Sequence, residues 1–316
     1  MVRFVAGRVL AAFAVVLGSL VLVFTIMHLL PGDLVDSLID VTRMPPAEVA
    51  QLRHQLGLDR PFLVQLAGYV GGVLRGDFGT SLATGQPVLP LILHSFPATL
   101  ALTLTGSLVA VTFGVVLGVA SATHRNRSLD LVVRIVALFG VSMPSFWIGI
   151  LLIIVFANIL GWLPSMGADG WQTLVLPSLA LGFGSVGVIA RLVRNSMLDV
   201  LGEPFVVTLR AKGLPERLVM YRHALRNALL PAVTVIGLMS AELLGGSVVI
   251  ETVFARPGIG RLVADALTTR DIPVVQGVVF CSAVVYTGIN MIVDLSYSAI
   301  DPRLRRSLPR AAGRPG

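Results

Sequence analysis

Six apolar runs, each about as long as a helix that crosses a bilayer, set what this chain can become: residues 8–30, 97–122, 131–160, 174–195, 228–250 and 274–299. A hydrocarbon core roughly 30 Å thick takes about 20 apolar residues at the helical rise. Within it every backbone polar group must be bonded inside the protein, so runs of this length are expected as helices. Only 13% of residues are charged and mean hydropathy is +0.87, outside the usual range of a soluble domain. The expected fold class is an all-α polytopic membrane protein with six transmembrane helices. The first run follows Arg3 and Arg8 as a signal peptide would, but its apolar core is too long and no small-residue cleavage site follows, so it is expected as a retained helix.

Orientation follows from where the cations fall. The N-terminus, 123–134, 191–226 and the stretch after Asp301 hold 17 Arg and Lys, against seven in 31–96, 161–173 and 251–273. The positive-inside bias then predicts both termini in the cytoplasm. A net charge of +7 with pI near 10.6 would also suit a nucleic-acid binder, but there is one lysine and no basic groove interleaved with aromatics. No nucleic-acid partner is expected. Cys281 is the only cysteine, which excludes an intramolecular disulfide and any cysteine cluster for a metal.

Residues 31–96 form a long segment on the external side, expected to fold as a helical cap. Pro45 and Pro46 before EVAQLRHQL with Gly57 after it, and Pro61 to Leu74 before Gly76, carry the punctuation of two short helices. GDFGTSLATGQPV, 76–88, has no period and reads as an irregular loop, either lining an entrance or simply connecting. In the second run Gly106, Ala110, Gly114, Gly118 and Ala122 recur every four residues, a small-residue stripe for close helix packing rather than a substrate path. GFGSVG, 182–187, matches the dinucleotide fingerprint in letters, yet it lies inside an apolar run with no strand before it. Pro144 should kink the third run, as a hinge, a cavity wall or a packed bend.

Between the fourth and fifth runs the chain turns basic and amphipathic: EPFVVTLRAKGLPERLVMYRHALRNALLP, 203–231. Pro204 and Pro215 with Glu216 look like first-turn residues of two short helices, and Gly213 with Leu214 like the turn between them. A helical wheel places Leu218, Met220, Tyr221, Ala224 and Leu225 on one arc, opposite Arg222, His223 and Arg226. An interfacial helix on anionic lipid and a plain topogenic loop are the alternatives to a surface for docking a soluble partner.

These residues resemble the permease subunits of ATP-binding cassette importers, whose cytoplasmic loop carries the EAA motif with a central glycine, here Gly213 in TLRAKGL. The resemblance is closest to the B-type subunit of the dipeptide, oligopeptide and nickel branch. It is carried by FTIMHLLPGD, LGLDRPF, GDFGTS, PSFWIGILL, ARLVRNSMLDVL, RAKGLPERLVMYRHALRNALLP, ETVFARPGIGRL, RDIPVVQG and DPRLR, in order along nearly the whole chain. Thr208, Leu209 and Arg210 stand where the general motif has Glu-Ala-Ala, and His223 replaces its Ile, so a salt bridge from that Glu is not carried over.

What the resemblance implies is a division into residues 1–30 with the first helix, an external cap over 31–96, a permease domain over 97–300 with its coupling loop at 196–227, and a cytoplasmic tail over 301–316. It implies that Arg210, Ala211, Lys212, Gly213, Leu214, Glu216, Arg217, Tyr221 and Leu225 form a coupling helix surface in a cleft of an ATPase. The implied partners are a second homologous permease as a heterodimer, one or two cytoplasmic ATPase subunits that use ATP and Mg, an external substrate-binding protein, and the lipid bilayer. Glu251, Phe254, Pro257, Gly258 and Gly260 would lie beneath the binding protein or at an external gate. This chain is expected to bind no cofactor or metal of its own. It has no G-x-x-x-x-G-K-[ST], and Lys212 stands in another context.

Glu242 and Asn290 are polar at membrane depth and are candidates for the translocation path, Glu242 equally for a pair within the bundle. Asp294 is expected to be structural, near Arg303 and Arg305. An intramembrane hydrolase would need paired aspartates, Ser-His or H-E-x-x-H, and the histidines are scattered. A receptor or scaffold would not need the 203–231 segment. The function expected is import of di- or oligopeptides across a prokaryotic cell membrane, with nickel chelate, haem or another small solute as alternatives.

Overall fold

The computed structural model describes residues 2–29, 54 and 59–300. The helix expected after Pro46, the DPRLR tail with Arg303 and Arg305, and the side chain of Asp294 fall outside that description. Among the described residues the chain is mostly helical, with one isolated bridge between Thr80 and Pro87.

In order, α1 is Val2–Leu29, α2 Phe62–Leu74, α3 Val88–Thr123, α4 Ser128–Ser142, and α5 Ser145–Leu152, which runs on as a π-helix over Ile153–Ile159. Then come α6 Gln172–Leu201 and α7 Pro204–Ala211. A turn at Glu216–Leu218 and a π-helix at Val219–Ala224 lead into α8, Leu225–Val253, followed by α9 Ile259–Thr268 and α10 Ile272–Ile300. Five of these, α1, α3, α6, α8 over Val235–Val253 and α10, are long and apolar enough to cross a membrane.

The sixth expected span is different in kind. Residues 131–160 do not form one kinked helix; α4 and α5 meet at a 110° bend. Met143 (φ −94°, ψ 133°) and Pro144 (φ −62°, ψ 138°) are both extended. The proline ring drives the residue before it out of the α region and Pro144 has no N–H to continue the ladder, so the helix stops and restarts. A second difference lies in α3, which starts at Val88 rather than 97 and continues through Pro97 for 36 residues. At the helical rise that is about 54 Å, longer than a hydrocarbon core is thick.

The small-residue stripe packs α3 on α6. Gly106 meets the Leu181 side chain, Gly114 meets Ile189, and Gly118 meets Val193 and the Ala190 carbonyl. In return Gly182 of α6 lies against the backbone of Gly106, and Gly187 against that of Ala137 in α4. A Cβ at either position would overlap main chain, so the GFGSVG letters serve helix contact. Without a hydrophobic drive between helices in lipid, such close approach is where packing energy comes from.

Among the described residues, three apolar clusters follow one another along the bundle. Near the 202–216 connection, Val119, Ala122, Val193, Met197, Ala224 and Ala228 pack together. Leu102, Leu176, Ala180, Ile250 and Phe254 form the middle, and Phe78, Val88, Ile92, Ile259 and Val274 the opposite end.

Candidate functional site

The 203–231 segment folds around one glycine. Pro204 opens α7 with its φ already helical, and Val206, fully buried, anchors the helix to the bundle. At its other end Gly213 takes φ +76°, the Gly213 amide donates to the Arg210 carbonyl (2.9 Å) and the Leu214 amide to the Leu209 carbonyl (3.3 Å). That pair of bonds is a Schellman close, which needs a left-handed residue at this position. Pro215 follows and starts the next turn.

Across the turn, Arg210 holds Glu216 in a two-pronged ion pair, Nε to Oε2 at 3.1 Å and Nη2 to Oε1 at 2.6 Å. Hydrogen bonding to Arg210 lowers the Glu216 carboxyl below its ordinary range, and the same bond raises the guanidinium. Ala211, Lys212, Gly213, Arg217 and Tyr221 are exposed around this turn, while Leu214 and Leu225 are half-buried. Seven of the nine coupling candidates thus lie within one short exposed hook, Arg210 to Arg217.

The helical wheel misplaces Tyr221. The structure buries Val219 and Ala224 and leaves Tyr221 56% exposed, because Val219–Ala224 is a π-helix with more residues per turn than the 3.6 assumed, which shifts the buried face. Nor is this second arm a separate surface helix. It continues without a break into α8.

At the opposite end, α8 ends in a buried carboxylate. Glu251 is fully buried, and its Oε2 accepts the amide hydrogens of Gly260 (2.7 Å) and Arg261 (3.3 Å) at the start of α9. An acid suits a helix N-terminus, where amides lack partners. Gly258 and Gly260 are glycine because the backbone passes too close for a side chain: a Cβ on the first would overlap the Glu251 carboxylate, and on the second the Val248 backbone. Phe254, 1% exposed, packs on Gly149 of α5. Pro257 is exposed.

Further bonds tie the loops at this end to that turn. Arg256, 4% exposed, donates through Nη1 to the Thr173 carbonyl (3.1 Å), its Oγ1 (3.3 Å) and the Gly167 carbonyl (3.3 Å). The Thr99 hydroxyl of α3 accepts the Ile259 amide (2.8 Å). Asp271 accepts from Ser81 Oγ (2.5 Å) and the Ala83 amide (3.2 Å), fastening the irregular 76–87 loop to the start of α10.

The two translocation candidates are not brought together by a bond. Glu242 is exposed and makes no ion pair among the described residues, and the Asn290 side-chain amide donates to the Tyr286 carbonyl of its own helix (3.0 Å). Neither lines the 380 Å³ cavity between α1, α3, α8, α9 and α10, whose wall is mostly apolar and includes Phe96, Ser247, Gly260 and Tyr286.

Three buried charged groups went unrecognised in the sequence, Arg256, Asp271 and Asp130. Asp130, in the first turn of α4 and fully buried, accepts from Arg194 Nε (2.7 Å) and Nη2 (2.9 Å), Ser121 Oγ (2.5 Å) and the Asn126 amide (3.0 Å). A lone acid among Arg125, Arg127 and Arg134 at the edge of a span was the available signal.

The sequence profile described as the binding-protein-dependent transport system inner membrane component matches residues 114–306, and its N-terminal companion profile matches residues 1–103. The chain is 45% identical over 305 residues to the glutathione transport system permease protein GsiC of Salmonella choleraesuis, covering 96% of this chain and 99% of the relative. The GsiC of Escherichia coli K12 is 43% identical over 306 residues, with the same coverage. Among solved structures, an inward-facing form of the MetNI methionine ABC transporter aligns with TM-score 0.55 at 21% identity, over 67% of this chain and 96% of that one. An amino acid ABC transporter solved with histidines aligns with TM-score 0.54 at 16% identity, over 66% and 94%. At those identities the structural likeness speaks for the fold.

Proposed function

The chain belongs to the family of binding-protein-dependent transport inner membrane components, the permease subunits of ATP-binding cassette importers, and from that premise we propose how its two ends divide the work. The Arg-rich end carrying the 204–224 hook is cytoplasmic, and the 251–271 end faces outward. The hook about Gly213 is the coupling element, received by a cleft of an ATPase subunit that uses ATP and Mg. The observation that carries this reading is the exposed turn itself, closed by the Gly213 Schellman bonds and braced by Arg210 and Glu216, at one end of a chain related over its whole length to importer permeases.

A second, homologous permease completes the pathway as a heterodimer. The exposed stripe of α8 with Leu238, Glu242 and Val249 is the face offered to it and to the substrate. At the outer end, Glu251, Phe254, Gly258 and Gly260 hold the turn that lies beneath the substrate-binding protein, with Pro257 at its surface.

The cargo proposed is a short peptide of the size of glutathione, itself a tripeptide, since the named relatives are glutathione permeases. The experiment is reconstitution of the chain with its permease, ATPase and binding-protein partners in vesicles. Glutathione-loaded binding protein should stimulate ATP hydrolysis and drive uptake. A wild-type chain that recruits no ATPase would sink the permease reading, and stimulation by dipeptide, nickel chelate or haem but not glutathione would replace the substrate.

A further inference from the structure

The coupling hook is covalently continuous with only two helices of the bundle. Its first arm follows α6 after Leu201, and its second becomes α8. Displacement of the hook therefore moves the near ends of α6 and α8 directly, and everything else through contacts.

Among those contacts the ion pair of Asp130 and Arg194 stands out in chemistry. Arg194 lies on α6 eight residues before Gly202, about 12 Å along the helix. Its side chain, 15% exposed, grips both oxygens of the fully buried Asp130 through the guanidinium, and Ser121 of α3 and the Asn126 amide also bond that carboxylate. Arg134, at 3.6 Å and half-exposed, is a looser second cation. The other close approaches of α4 to α6 run through glycine, Gly140 on the Phe183 backbone and Gly187 on Ala137, and to these the two-pronged charged bond adds a fixed distance and rotation.

Beyond this bond α4 leads upward past Ala137 on Gly187 to the bend at Pro144, and α5 then places Gly149 on Phe254, three residues from Glu251.

We propose that Asp130 and Arg194 are positioning residues for coupling, locking α4 to α6 so that displacement of the Gly213 hook is carried through the Pro144 bend to the Phe254–Glu251 turn. The inference rests on the coupling role proposed above.

Its test uses the complete reconstituted transporter, comparing wild type with D130N, R194Q, R194K and D130N/R194Q. Three readouts are taken: ATPase retained on purification, basal ATP hydrolysis, and hydrolysis stimulated by liganded binding protein. The expected result is full ATPase retention and basal hydrolysis within about twofold, with stimulation down about tenfold in either neutralised variant. Stimulation in R194K, which keeps the charge but not the fork, falls in between.

The double variant leaves no unpaired buried charge, so it separates coupling from folding. A double loss no larger than either single loss is the expected signature of one shared interaction. The proposal is overturned if all variants keep wild-type stimulation, or if stimulation, basal rate and ATPase retention fall together in R194K and in the double variant, as a purely structural role requires. A wild-type complex without ATPase would instead remove the functional reading, and this inference with it.

Discussion

Arg210 and Glu216 face each other across Gly213 with two hydrogen bonds, so the ends of the turn are joined both by main chain and by charge. The departure of this loop from Glu-Ala-Ala removes the acid usual in the first arm. Here the acid stands in the second arm and the cation in the first.

Gly213→Ala should strain the hook more than losing the ion pair does. The added methyl meets open space, so its cost is the left-handed backbone alone, about 1–2 kcal/mol. Both charged side chains are substantially exposed, at 41% and 54%, and Arg210→Ala or Glu216→Ala should cost about 0.2–1 kcal/mol. Weaker retention of the ATPase subunit in G213A than in E216A checks the order.

Acid, and not mild alkali, should loosen the same turn. The folded-state carboxyl of Glu216 is held below its unfolded value by Arg210. Its contribution is therefore present above the ordinary carboxylate range and lost as pH falls through the depressed value. Hydrogen exchange of the hydrogen-bonded Gly213, Leu214 and Leu218 amides, corrected for intrinsic rates, should show protection fall on that acid limb in wild type and change little with pH in E216Q.

Gly182→Ala and Gly187→Ala should disrupt the bundle, since the new Cβ would overlap the Gly106 and Ala137 backbones. Overpacking of this kind costs about 1–3 kcal/mol or more. Gly68→Ala is the control: the site is open and mid-helix in α2, so a gain of about 0.5–1 kcal/mol is expected. Thermal denaturation of the purified protein should separate the two classes in sign.

Glu251→Ala should detach α9 from the end of α8. It strands the buried Gly260 amide, at a cost of about 1–3 kcal/mol, whereas Glu251→Gln keeps an acceptor and should lose less. Arg256→Ala should free a different element, the 160–173 loop held at Gly167 and Thr173. Proteolysis near Trp162 to Trp171 should accelerate in R256A and remain slow in E251Q.

Much of this was legible in residue order because the signals were local. Gly213 could be named from its place between Arg210 and Pro215, since a left-handed close and a proline restart depend on neighbours in sequence. The stripe from Gly106 to Ala122 was legible because a four-residue recurrence defines a helix face whatever meets it. Tyr221 was misplaced for a local reason of another kind: wheel arithmetic assumes α geometry, and the π-helix at Val219–Ala224 breaks the assumption.

Asp130 illustrates the other limit. Its side-chain hydrogen-bond partners lie nine residues before it and 64 after it, and nothing in a list of Arg residues says which one turns inward.

Apolar run length, cation bias and glycine-proline punctuation by themselves determined a membrane bundle of about six spans, its expected orientation and the hooked turn about Gly213, because solvent and backbone sterics act on each segment alone. Only the tertiary structure decided that the third run breaks by 110° at Pro144, that Asp130 belongs to Arg194, and that Glu251 caps α9 through glycines with no room for a side chain. Those features depend on which surfaces meet and how closely, and a single bend, ion pair or cap, unlike a repeated stripe, leaves no periodic trace in the segments it joins.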